Sequence, residues 1–339
     1  MTTFLHRVLL FLTLLAYGST WVSPEWLWVT GLLALGIPLL GLVLVAILFY
    51  TLLKKRYKTA MYTGVVLLLG WPHWAASIGG GYWQPATAPE GSFSVLSQNV
   101  RIFNTDKAEY LTDHIEQLTE VAQREKVDIV CLQEFREIDG HEHRTLENAG
   151  FRYRHFFRVR KTGSRIGLAI YARYPISKVS ETFFSGLNGA LFATVQLPNG
   201  RKVRIGNIHL QSLGLPSGGL SAVETWKAAL RRFRESLVAH AEQIKTLEKE
   251  WEQTAQPVLL CGDFNTTPYS YVYRYLRTSF SNAFENAGRG IGTTYRGKIP
   301  FLRIDHQFFS ENLHNFSMKT IKQTYSDHHV LVGTYYLSP

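Results

Sequence analysis

The sequence predicts an α/β fold in which two mixed β-sheets pack as a sandwich with helices outside, a four-layer arrangement, preceded by about three transmembrane helices. Three observations predict it. The N-terminal quarter is almost free of charge and carries long apolar runs. From residue 93 onward, short apolar runs of strand length alternate with stretches of helical spacing. Several of those runs follow one another without a helix between them, so the sheets are mixed rather than purely parallel.

The membrane region is expected over 1–83, with spans at about 8–24, 29–53 and 59–80. A helix of about 20 apolar residues crosses a bilayer. The second run clears that length. The first, "HRVLLFLTLLAYGST", also fits a signal peptide with a basic start and an apolar centre. The third is interrupted by Pro72 and His73 and also fits a re-entrant hairpin. Trp21, Trp26, Trp28, Trp71, Trp74 and Trp83 cluster near run ends, as interfacial anchors do. "KKRYK" at 54–58 is the strongest basic cluster of this region, and basic loops stay in the cytoplasm. With three spans, everything after about residue 84 lies outside the cytoplasm; with two, inside. The expectation is a multi-pass protein of a bacterial inner (cell) membrane with an extracytoplasmic catalytic domain. The lipid bilayer is its expected partner, and no obligate protein partner is expected.

"QPATAPEGS" (84–92) reads as a linker, so the second domain runs over 93–339. "FSVLSQNV" is a strand, 107–125 an amphipathic helix, and "VDIVCLQEF" a buried strand. "FRYRHFFRV", "IGLAIYA", "ISKVSETFF", "ALFATVQL" and "VRIGNIHL" are five more strands. One long helix spans about 220–252, capped near Ser221. Then come the strand "PVLLCGDF", a short helical stretch after Pro268, and strands "LRIDHQFF", "FSMKTIKQT" and "HVLVGTYYL". The formal charge is +10, and 31 Lys/Arg against 24 Asp/Glu fall after residue 90. That balance tolerates a polyanionic partner. The two cysteines, Cys131 and Cys261, sit in apolar runs as core residues and exclude a disulfide framework.

Polar residues terminate the apolar strands repeatedly. They are Asn99, Glu134, Asn207 with His209, Asp263 with Asn265, Asp305, and Asp327 with His328. Buried carboxylates cost several kcal/mol, on the order of their desolvation penalty, unless they are paired or bind metal. The economical reading is that these strand ends converge on one site and a cation neutralises them. Oxygen ligands without cysteine suit a hard cation, Mg²⁺ or Mn²⁺. Such an ion works on phosphate oxygens. A carboxylate to activate water and an imidazolium to stabilise charge complete a phosphoester hydrolase.

The ordered set "SQNV", "CLQEF", "SRIGLAIYARYPI", "NIHL", "GDFN", "RIDHQFF" and "YSDHH" resembles the endonuclease/exonuclease/phosphatase superfamily, in a membrane-anchored bacterial form. The resemblance spans about 93–337. It implies Glu134 as the main metal ligand, with Asn99 beside it and Asp327 near the ion. It implies Asp263 as the water-activating base, Asn265 as a phosphate holder, and His328 as the imidazolium whose tautomer Asp305 fixes. His209 would contact the phosphoryl or leaving oxygen. Asn207 supporting that region and Arg165 clamping an anion complete the expected substrate contacts. Arg101 departs from an acidic residue that AP endonucleases carry two positions after this Asn, which weakens any second metal site. The expected substrate is a phosphodiester or pyrophosphate, lipid-linked or, alternatively, nucleic acid; a non-catalytic phosphate-binding module is the minor alternative. Among residues outside this set, His141 and His143 are expected to be solvated in an acidic loop. "QSLGLPSGGL" (211–220) is expected to be a loop.

Overall fold

The computed structural model describes residues 3–81, 87–104, 108–137, 140–159, 165–213, 223–297 and 301–338. The expected cap at Ser221, most of the 211–220 loop and the start of the 84–92 linker lie outside them. Two compact units emerge.

The helical unit comprises Met1–Ser77 together with Leu213–Glu242 and Thr266–Thr278. Its helices are α1 (Thr3–Ser19), α2 (Val29–Leu35), α3 (Ile37–Leu53), α4 (Tyr57–Leu69) and α5 (Trp71–Ser77). Among the described residues, no single helix is long and apolar enough to cross a membrane. This corrects the expectation of three continuous spans. The breaks have a local cause, because "GIP" and "GWP" fall at them: Gly36 precedes Pro38 and Gly70 precedes Pro72. Proline fits a first helical turn but blocks the hydrogen bond that would continue the preceding helix. The α2–α3 pair has the length and composition of a span but bends by 44°. Ala16, Tyr17, Ala34, Ile37, Leu44 and Val66 form the unit's small core. At Gly41 a Cβ would lie 1.8 Å from the Trp74 ring, so only glycine permits that approach. The outer faces remain apolar, with Leu42 70 % and Leu68 72 % exposed.

The second unit comprises Ile78–Ser212, Gln243–Asn265 and Ser279–Pro339. Its strands, in chain order, are β1 (Gly79–Gly80), β2 (Phe93–Asn99), β3 (Ile129–Arg136), β4 (Tyr153–Arg158), β5 (Ile166–Ala172), β6 (Ile176–Phe183) and β7 (Gly189–Gln196). Then follow β8 (Lys202–His209), β9 (Val258–Asp263), β10 (Ser281–Asn282), β11 (Arg289–Gly290), β12 (Asp305–Phe309), β13 (Leu313–Ile321) and β14 (Val330–Leu337). One sheet has the order β10-β12-β9-β8-β7-β6 and the other β13-β14-β2-β3-β5-β4. In each sheet one central pair, β8/β9 and β2/β3, is parallel and its neighbours are antiparallel. The α/β sandwich of two mixed sheets is therefore the observed fold.

Side chains from both sheets form the main core, including Val95, Ile129, Cys131, Leu191, Ile205 and Cys261. Both cysteines are free and buried, as core residues. A second core lies between the other face of the β2–β3–β5 sheet and α6 (Ala108–Arg124), where Ile115, Leu118 and Ala122 recur at helical spacing. His141 and His143 open α7 (His141–Asn148) rather than a solvated loop. His143 is buried between the Tyr171 hydroxyl at 2.5 Å and Glu137 at 2.6 Å, a satisfied core histidine. The long helix is α8 (Val223–Leu247), and its stretch over 223–242 belongs to the helical unit.

Candidate active site

The site forms where the ends of parallel pairs from the two sheets meet. β2 delivers Asn99, β3 Glu134, β8 His209, β9 Asp263 and β12 Asp305. The segment before β14 delivers Asp327 and His328.

Local backbone aims these groups. The β3–β5 register slips between Leu132 and Phe135, and within that bulge Glu134 adopts φ 48°. A bulge re-aims a side chain that regular pleating would place on the other face. Asn265, just past β9, sits at φ 49°. Each left-handed non-glycine residue costs on the order of 1–3 kcal/mol, strain that clusters at functional sites. Gly262 takes φ 136°, and a Cβ there would meet the Ile208 carbonyl at 2.0 Å. Glycine thus lets β9 press against β8 one residue before Asp263.

Asp263 is the hub and is buried. Its Oδ1 accepts the Asn265 N–H at 2.8 Å. Its Oδ2 accepts Asn99 Nδ2 at 3.0 Å and lies 3.7 Å from both His209 Nε2 and His328 Nε2. Asn99 Nδ2 also reaches Glu134 Oε1 at 3.2 Å. The Arg101 N–H donates to Asn99 Oδ1 at 2.9 Å and so fixes which way the amide faces. Asn99 therefore presents N–H to the carboxylates, and it orients Glu134 and Asp263. His209 Nδ1 bonds the Leu187 carbonyl at 3.0 Å, which turns Nε2 toward Glu134 and Asp263.

His328 Nδ1 lies 3.0 and 2.9 Å from the two Asp305 oxygens. Burial by itself lowers its pKa, but the Asp305 and Asp263 carboxylates outweigh burial and raise it to about 10. The imidazole is therefore a cation at neutral pH. Burial pushes the Asp305 carboxyl up, against the pull of His328. Thr294 Oγ1 accepts the Asp305 N–H at 3.1 Å and braces the dyad from below.

Asp327 pairs with Arg101 Nη1 at 2.7 Å through Oδ2, while its buried Oδ1 has no hydrogen-bond partner and lies 4.0 Å from His328 Nε2. That oxygen and the Glu134 carboxylate are donors of the type a divalent cation takes. Asp263, Asp305 and His328 also bring one ligand atom each within 4.8 Å of one another. A protonated His328 has no lone pair to offer, so that trio reads better as a charged dyad facing a carboxylate. Of the three expected ligands, Asn99 spends its carboxamide oxygen on the Arg101 N–H, which corrects its place beside the ion, and Glu134 and Asp327 remain as the carboxylates that would hold one.

Of the expected substrate contacts, Asn207 is committed to the sheets. Asn207 is fully buried, accepts Gln133 Nε2 at 2.6 Å, and donates to the Leu132 and Ala169 carbonyls at 2.9 and 3.0 Å. Its carboxamide stitches one sheet to the other and has nothing left for a substrate. Arg165 is exposed ahead of β5, its carbonyl accepting the Glu137 N–H at 2.8 Å. Asn265 donates one amide hydrogen to the Leu210 carbonyl at 3.0 Å.

Sequence reasoning missed the supports of the His328 segment. Gln98 Nε2 donates to the His328 carbonyl at 3.0 Å, and Ser326 Oγ donates to the Asn99 carbonyl at 2.8 Å. The Tyr295 ring lies 5.0 Å from that of His328, and burial and Asp327 push its phenol pKa up. "SQN" and "YSD" could have signalled Gln98 and Ser326, each one residue from an expected site residue. Tyr295 lies in an irregular segment and carried no signal.

The strand ends of the two-sheet sandwich thus converge on a carboxylate hub and a charged His–Asp dyad. The sequence profile of the endonuclease/exonuclease/phosphatase family matches residues 95–328, and the chain belongs to that family. Residues 1–77 match a domain of unknown function (DUF8431). No curated protein matches the chain. Solved structures share the fold. One is an endonuclease/exonuclease/phosphatase from Bacteroides vulgatus, with 17 % identity over 73 % of this chain and 99 % of that one, TM-score 0.53. The human Nocturnin catalytic domain with bound sulfate has 17 % identity over 74 % and 97 %, TM-score 0.52. TDP2 from Caenorhabditis elegans has 18 % identity over 72 % and 74 %, TM-score 0.51.

Proposed function

We propose that the chain is a membrane-anchored, Mg²⁺- or Mn²⁺-dependent hydrolase that cleaves a phosphodiester or pyrophosphate of a lipid-linked substrate. The carrying observation for the chemistry is the His328–Asp305 dyad facing Asp263, with Nε2 3.7 Å from Oδ2. In this reading Asp263 takes the proton of the attacking water as the new O–P bond forms, and the scissile P–O bond breaks on the opposite side, its oxygen leaving with the alcohol or phosphate and taking a proton from solvent. The His328 imidazolium stabilises the negative charge that builds on the phosphoryl oxygens. The second amide hydrogen of Asn265 holds a phosphate oxygen, and His209 Nε2 contacts the phosphoryl or leaving oxygen. A divalent ion at Glu134 and Asp327 would supply charge neutralisation when bound.

The membrane part of the proposal rests on the apolar outer faces of the helical unit. Phe4, Trp26, Leu39, Phe49, Leu53 and Trp71 are each at least 65 % exposed. Soluble monomers rarely leave so much contiguous apolar surface open. Tethering raises the effective concentration of a bilayer-bound substrate. A polyprenyl-phosphate carrier is one lipid-linked phosphate that this reading takes as substrate. The basic balance of the chain, +10, favours nuclease activity as the second reading.

The test uses the full chain with Mg²⁺, an EDTA control and His328→Ala. Polyprenyl-diphosphate vesicles and supercoiled plasmid are offered side by side. Lipid cleavage without nicking, lowered about 10²–10⁴-fold by His328→Ala, is expected. Nicking at higher turnover than lipid cleavage would establish the nuclease instead. Recovery of the chain in the aqueous phase without detergent would remove the membrane part.

A further inference from the structure

One end of the helical unit carries an open cavity of about 320 Å³, bounded by the start of α1, the C-terminal half of α3 and the start of α4. Its walls are of two kinds. Val43, Ala46 and Ile47 line it with hydrocarbon, and His6, Arg56 and Thr59 line it with polar groups. The volume is that of a small-ligand pocket, roughly 300–1,000 Å³.

The surrounding charge is one-sided. Lys54, Lys55, Arg56 and Lys58 fall within five consecutive exposed residues. No Asp or Glu occurs between Glu25 and Glu90, so nothing in the local sequence neutralises them. An occupant must therefore be anionic where it meets Arg56 and apolar where it meets Val43, Ala46 and Ile47. A free phosphate satisfies the first wall and leaves the second facing water. The outer face of α3 is itself apolar, with Leu42 70 %, Phe49 66 % and Leu53 66 % exposed, which suits the remainder of an acyl chain.

We propose that this cavity binds an anionic glycerophospholipid, its phosphate at Arg56 and the first methylenes of one chain against Ala46 and Ile47. Basic pockets between helices at a cytoplasmic face take anionic headgroups in this way. The site is separate from the catalytic centre, and it rests on the membrane reading above. It would hold the KKRYK end at an anionic leaflet.

The test measures lipid retained by the full chain purified in neutral detergent, using native mass spectrometry. Phosphatidylglycerol, phosphatidylcholine and inorganic phosphate are the probes. Phosphatidylglycerol is expected to stay bound at about one per chain and phosphatidylcholine to wash away. Arg56→Glu and Ala46→Phe are each expected to cut phosphatidylglycerol retention by on the order of tenfold while phosphoester turnover stays unchanged, which shows that both variants fold. Equal retention of both lipids, or undiminished phosphatidylglycerol in both variants, overturns the proposal. So does displacement of the lipid by an equimolar amount of inorganic phosphate. Alkaline extraction of membranes separates the two readings. A chain released from membranes fails the anchoring itself, whereas an anchored chain that binds both lipids alike fails only the lipid site.

Discussion

His328 carries a proton because two carboxylates surround it in a place where burial by itself would remove it. Its folded pKa, about 10, lies above the ordinary value of 6.5. The dyad thus stabilises the folded chain in full below the ordinary value and loses that contribution as pH rises through the folded one. Asp305→Asn removes a charge that raises this pKa and leaves the burial that lowers it. The alkaline limb of the kcat/KM profile should then move to lower pH; an unmoved limb would assign it to another group. Arg101 acts on Asp327 through a pair that is 54 % exposed on the Arg side, so its strength is screened. Arg101→Ala should raise Mn²⁺ affinity a few-fold, read by electron paramagnetic resonance, because both Asp327 oxygens become available and a like charge leaves. Weaker binding would show that Arg101 holds Asp327 in its binding position.

At the scale of elements, the two sheets are joined by carboxamides as well as by hydrocarbon. Asn207 of β8 meets Gln133 of β3, and Gln307 of β12 donates to the Val95 carbonyl of β2 at 3.2 Å. Tyr335 of β14 completes the second bridge with a 2.6 Å bond to Gln307. Both bridges lie between strands that carry side chains of the candidate site at their ends. Asn207→Leu keeps the volume but leaves two buried carbonyls and Gln133 without their partner. It should cost about 3 kcal/mol, visible as a lower urea midpoint. The cross-sheet stitch also sets the spacing of Glu134 and His209, so kcat should fall even at temperatures where the variant is folded. A variant with wild-type stability would show that water replaces the amide.

At the scale of the whole molecule, chain order and compact units do not coincide. The helical unit takes in 213–242 and 266–278, although the sequence places both within the catalytic domain. Inside that unit the Arg274 guanidinium stacks 3.7 Å over Trp21, and the Ser77 hydroxyl donates to the Tyr269 hydroxyl at 2.6 Å. The segment 266–278 begins directly after Asn265, and 213–242 follows His209 by a few residues. A chain lacking 1–77 should therefore be cut by protease within 213–242 and 266–278 at least about tenfold faster than the full chain, by the loss of packing around them. Equal cleavage rates would show that these segments hold their own structure.

The sequence by itself determined the sandwich and most of its strands, because apolar runs of strand length and helical periodicity are local signals. It also singled out Asn99, Glu134, His209, Asp263, Asn265, Asp305, Asp327 and His328, polar residues at strand ends in a pattern that folding alone does not require, and the structure brings them together. Only the tertiary structure decided what each one touches. The bulge that turns Glu134 inward, the Arg101 N–H that orients Asn99 and the sheet-to-sheet use of Asn207 all depend on register between strands distant in sequence. The helix breaks at Gly36 and Gly70 were legible in "GIP" and "GWP", yet hydropathy averaged over a span passes across them. Which segments join the helical unit was not legible, since packing between remote segments leaves no periodic trace in either one.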